Sequence, residues 1–163
     1  MNMKQRTTSG TANAAAPVQM TAAKAYEERS LKELRNAGFR ITMPRVQVIR
    51  ALADSDVALS AYAIHDKIIS SNGKIDVVSV YRILSTLQEV GLIHHIGVVD
   101  GYFPCRIGNC AEKRSEVVVE ETTGSVIELP MPKSIISAIE DQVRAAGFET
   151  TGIKVEVTGR STK

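Results

Sequence analysis

Apolar side chains recur at helical spacing through the first half of the chain. Residues 22–37 carry Tyr26, Leu31 and Leu34 among Lys, Glu and Arg, and Gly38 follows where a helix commonly ends. Pro44 then opens a short segment in which Val46, Ile49 and Leu52 repeat every three residues, with proline in the first-turn slot that needs no N–H. Ser60 is placed to cap a third helix through Ile64 and Ile68, which the turn cluster Ser71-Asn72-Gly73 stops. Asp76 can cap a fourth from Val77 to Val90, with Val80, Leu84 and Leu87 on one face and Gly91 at the end.

The period then changes from helical to alternating. Leu92–Ile96 and Tyr102–Ile107 flank Asp100-Gly101, a strong hairpin signal, and Pro104 restricts the second arm to an edge position. Glu116–Glu121 and Ser125–Leu129 predict a second hairpin around Thr122-Thr123-Gly124. A helix follows from Pro130-Met131-Pro132, with Ile135, Ile136, Ile139 and Val143 in a stripe, and Gly147 ends it. A last strand, Thr150–Thr158, sets Ile153, Val155 and Val157 against Lys154 and Glu156. The expected fold class is α+β: an N-terminal winged helix-turn-helix over residues 21–107 and a small αβ dimerisation domain over 108–163. Residues 1–20, rich in Thr, Ser, Asn and Ala, are expected to be a disordered arm. Three strands and one helix are too few to cover both faces of a sheet, so the exposed apolar face is expected to pair with a second copy.

With 163 residues, 44% of them hydrophobic, the chain can bury a core without disulfide staples. It has no apolar run long enough for a bilayer span and no signal-type segment, so a soluble, cytoplasmic protein is expected. Its two cysteines, Cys105 and Cys110, are then expected to stay free or to bind metal. Charge is uneven: thirteen basic against nine acidic side chains up to residue 106, and seven against nine beyond. That asymmetry suits a nucleic-acid-binding module joined to something else.

The fourth helix could simply be a core helix with one polar side. Its polar side, however, aligns Ser79, Arg82 and Thr86, and the preceding helix and turn have helix-turn-helix length. In such a unit the second helix enters the major groove, where hydroxyls and an Arg reach phosphates or guanine edges and Tyr81 can add a phosphate or thymine-methyl contact. Arg40 and Arg45 flank the start of the second helix, where they either hold the duplex backbone or form a solvated surface pair. The wing tip, Asp100-Gly101, carries no cation, so wing contacts to DNA are expected to be weak.

These segments resemble the ferric uptake regulator family, and most of all its zinc uptake regulator branch. The resemblance rests on Gly38-Phe39-Arg40-Ile41-Thr42-Met43-Pro44-Arg45, Leu59-Ser60-Ala61-Tyr62, Val78-Ser79-Val80-Tyr81-Arg82-Ile83-Leu84 and Gly91-Leu92-Ile93-His94. It runs in register over about residues 25–107 and more loosely to 158. It implies a homodimeric, metal-responsive repressor on a palindromic operator in double-stranded DNA, with Tyr81 and Arg82 as DNA contacts.

The chain departs from that family in its metal ligands. The cysteines of the family's structural zinc site fall on Glu120 and Thr123, so no four-cysteine zinc is expected. His94 and Cys105 match the zinc-regulator pattern. Zinc takes four ligands, and Cys110, Glu112, His95 and Glu116 are candidates to complete a regulatory site, with His94, Cys105, Cys110 and Glu112 ranked first. Adjacent His94 and His95 point to opposite faces of a strand, so they are not expected to share an ion. His65 is read as an exposed helix residue. Two alternatives stay open: Cys105 as a small buried thiol in a protein that has lost metal sensing, or the two cysteines as a reversible disulfide in a redox-responsive regulator. A third class, a winged-helix protein-interaction module, also fits. No nucleophile–base–acid set or phosphate loop stands out, and catalysis is not expected.

Overall fold

The computed structural model describes residues 21–108 and 114–163; the N-terminal arm, Cys110 and Glu112 lie outside the described residues. Four helices come first: α1 (Ala22–Asn36), α2 (Met43–Ala53), α3 (Ala61–Ser70) and α4 (Val77–Glu89). Each starts where its local chemistry directs. The Thr21, Ser60 and Asp76 side chains accept the backbone N–H groups of Lys24, Ala63 and Ser79, and α2 has Pro44 in its first turn. Gly38 and Gly91 turn the chain at φ of +82° and +77°, conformations that cost other residues a steric penalty. The core of this helical unit holds Leu34, Ile49, Leu52, Ile64, Leu84 and Leu87, all fully buried, each worth about 1.5–3 kcal/mol of transfer free energy. Tyr26 reaches from α1 to donate its hydroxyl to the Leu92 carbonyl at 3.1 Å. Burial pushes that phenol well above the usual tyrosine range, keeping it a donor.

β1 (Ile93–Ile96) and β2 (Gly101–Pro104) form the antiparallel wing, pairing Ile93 with Pro104 and Ile96 with Gly101. The expected two-residue Asp-Gly turn does not occur. A 3-10 turn over Gly97–Val99 makes the reversal, Asp100 closes it at φ 44°, and Gly101 already belongs to β2. Gly101 is required there for a different reason: a Cβ would sit 2.9 Å from that of Ala58. Nor is β2 an open edge, because Tyr102 exchanges two backbone bonds with Leu59 at 2.8 and 2.9 Å; Pro104 is tolerated beyond that bridge.

The remainder is β3 (Arg114–Glu120), β4 (Val126–Glu128), α5 (Lys133–Ala145) and β5 (Ile153–Gly159). β3 is central, antiparallel to β4 and parallel to β5. A second cluster, Ile96, Phe103, Val117, Val119 and Val126, packs the wing against this sheet. Backbone bonds reinforce the junction, with Val126 N–H donating to the Asp56 carbonyl at 2.8 Å.

Candidate nucleic-acid interface and metal centre

Helix α4 buries Val80, Ile83, Leu84 and Leu87. Its opposite face is therefore Val78, Tyr81, Arg82 and Ser85, spaced i, i+3, i+4 and i+7 and all exposed. The sequence pattern had singled out Ser79, Arg82 and Thr86, and the structure places Ser79 and Thr86 at the flanks of the exposed face, half-buried. Their hydroxyls bond locally: Ser79 Oγ to the capping Asp76 carboxylate at 2.6 Å, Thr86 Oγ1 to the Arg82 carbonyl at 3.2 Å. The Ser79 hydroxyl and N–H hold the Asp76 carboxyl below its usual range, which keeps the cap charged. Arg40 is exposed, whereas Arg45 lies over the Phe39 ring at 5.5 Å and donates to the Arg40 carbonyl, bracing the loop before α2. Tyr62, at the start of α3, is 62% exposed and meets Tyr81 edge-on with ring centroids 6.4 Å apart. The sequence placed Tyr62 in the family-like run Leu59-Ser60-Ala61-Tyr62 without giving it a role, although its place two residues after the α3 cap was a signal.

The second site lies where wing and sheet meet. His94, Cys105 and Glu128 bring one ligand atom each within 4.8 Å of one another, a grouping that could hold a metal ion. His94 is buried. Its Nδ1 is 2.8 Å from Ser115 Oγ, and its Nε2 is 2.7 Å from Glu128 Oε1. His95 points the other way, toward Asp100 at 3.1 Å and the Tyr102 ring, as alternation requires. Glu128 also accepts the Arg106 backbone N–H on both oxygens at 3.0 Å. The Arg106 guanidinium in turn reaches back to the Ser55 carbonyl at 2.8 Å, so one residue ties the sheet to the end of α2. Arg29 donates to the carbonyls of Cys105 and Arg106, fixing this junction to α1.

Cys105 is disulfide-bonded, the redox alternative that the sequence left open, rather than free or metal-bound as a reducing compartment predicts; its partner is outside the described residues. Cys110 and Glu112, the other two members of the sequence-based ligand set, also fall outside them. Glu116 is committed elsewhere, pairing with Arg114 and accepting the Met131 N–H. Glu120 and Thr123 close the β3–β4 turn: the carboxylate accepts the Thr123 hydroxyl and N–H at 2.6 and 2.5 Å, which lowers its pKa to about 2. His65, on α3, contacts the neighbouring Asp66 carboxylate at 3.1 Å.

A helix-turn-helix with a two-stranded wing, followed by a β3-centred sheet and one helix, defines a winged-helix regulator architecture. The ferric uptake regulator family model matches residues 36–158, and the chain belongs to that family of metal-responsive regulators. It is 28% identical to the ferric uptake regulation protein of Brucella abortus (biovar 1, strain 9-941) over 127 residues, 77% of this chain and 87% of that one. It is also 28% identical to the zinc uptake regulation protein of Escherichia coli K12, over 89 residues covering 55% of this chain and 52% of that protein. Among solved structures, a zinc uptake regulator complexed with zinc and DNA superposes with a TM-score of 0.78 at 22% identity, covering 87% of this chain and 94% of that one. No described helix is long and apolar enough to cross a membrane.

Proposed function

We propose that this chain is a homodimeric, cytoplasmic, sequence-specific DNA-binding repressor, with α4 in the major groove of a palindromic operator and the two functional units dividing near residue 107. The observation that carries this reading is the exposed stripe of α4, where Arg82 stands clear of the core beside Tyr81 on a helix braced by α2 and α3. Arg82 reads a guanine edge or a phosphate. Tyr81 and Tyr62 supply the adjoining aromatic surface, and Arg40 a backbone contact. Operator binding should weaken steeply with salt, and Arg82→Ala should cost about 1–3 kcal/mol with relaxed sequence preference if the side chain reads a base. Fluorescence anisotropy across a salt series checks both; a flat salt response with no loss in the variant rejects the proposal.

His94, Cys105 and Glu128 would hold a divalent cation, and their N, S and O donors suit zinc. Ser115 orients the His94 ring through Nδ1 and leaves Nε2 as the ligating atom. Such an ion would cross-link β1, the end of β2 and β4, and so favour one angle between wing and sheet. Cys105 contributes a thiolate to that set only when reduced. The disulfide-bonded Cys105 supports a second reading, in which oxidation controls the same junction by withdrawing that sulfur from metal.

A further inference from the structure

We propose that Val78 is a specificity-determining residue that reads a thymine methyl group; the assignment rests on the DNA-binding reading above. On and beside the exposed stripe of α4 the serine and threonine hydroxyls are already engaged within the helix. Ser85 Oγ donates to the Tyr81 carbonyl at 3.1 Å, and at the flanks Ser79 and Thr86 donate to Asp76 and to the Arg82 carbonyl. Arg82 is the charged hydrogen-bonding side chain of this stripe, and Tyr81 adds a phenol hydroxyl. The apolar surface beside them is Val78, 57% exposed, with the rings of Tyr81 at 43% and of Tyr62, leaning in from α3, at 62%.

Val78 is the second residue of α4, in the N-terminal turn that meets base edges when a recognition helix docks. A β-branched side chain there gains nothing from helix propensity, from capping or from the core, since Asp76 caps the helix and Val80 faces inward. The apolar feature that a major groove displays is the C5-methyl of thymine. With Arg82 four residues further on the same stripe, the pair fits a thymine close to a guanine in each half-site.

Uracil differs from thymine only in lacking that methyl, so it isolates the contact. The full chain is used to select duplexes from a random pool under reducing conditions with zinc present. Each thymine of the selected sequence is then replaced singly by uracil. We expect one thymine per half-site at which uracil weakens wild-type binding about fourfold, the transfer value of one buried methyl. Val78→Ala is expected to bind the thymine and uracil duplexes equally at that position while still discriminating at the guanine that Arg82 reads. Val78→Ile is expected to keep the preference. Wild-type indifference to every uracil substitution overturns the proposal, as does a Val78→Ala variant that keeps the wild-type thymine preference at every position, which would leave the reading to the Tyr81 ring. Failure to select any sequence overturns the DNA-binding reading itself, a different result from selection without a methyl effect.

Discussion

Glu128 joins two tasks in one side chain. Its carboxylate accepts the Arg106 N–H, a structural bond, and approaches His94 Nε2, a bond that a cation would replace. Glu128→Gln preserves an acceptor for Arg106 but removes the anionic ligand. Zinc affinity of the reduced protein, measured by competition with a chelator, should therefore fall at least about tenfold, with much less change in thermal stability. Unchanged zinc affinity would remove Glu128 from the site. This residue was readable in part. Val126 and Glu128 share a strand face, and an acid at the parity of a buried valine is a signal that spacing to His94 or Cys105 does not give. The α4 stripe shows the same limit from the other direction: of Ser79, Arg82 and Thr86, aligned on paper, half-burial and local bonds leave Arg82 as the exposed one.

Helices and strands were legible because each is bounded by local chemistry: capping hydroxyls and carboxylates, a first-turn proline, glycines at positive φ. The wing turn was not, because its partner is remote in sequence. Glu156 of β5 accepts the N–H groups of Gly97 and Val98 at 2.9 and 3.0 Å, capping the 3-10 turn from the other unit. Partial burial opposes the charge on Glu156, but those two amide bonds outweigh it and hold its pKa below the ordinary 4.5. A carboxylate depressed by folding stabilises above its unfolded pKa, and that contribution disappears as pH falls through the folded value. Glu156→Gln should thus cost stability at neutral pH and almost none in a medium acid enough to protonate the folded carboxyl. Urea unfolding at the two pH values measures the difference; an equal loss at both would show that packing, not charge, holds the turn.

For the whole molecule, the decisive surface is the one a single chain leaves uncovered. Of the 13 residues of α5 only Ile136 is buried, while Ile135 is 46% exposed, and Ile127 of β4 and Val157 of β5 are 61% and 39% exposed. An isolated helix of that length is marginal in water, so its persistence here calls for cover by another surface. On the proposed reading a second copy supplies that cover with two-fold symmetry, and would set two α4 helices on half-sites about one helical turn apart. Ile135→Asp tests this directly. The residue lies in the first turn of α5, where an acid suits the helix dipole, so the single chain should fold as before. Sedimentation should show a shift from dimer to monomer. Operator affinity should drop by about 100-fold or more, because two linked contacts become two independent ones. A variant that remains dimeric would place the interface elsewhere. One that becomes monomeric yet binds the full operator as tightly would mean that each reading head works alone.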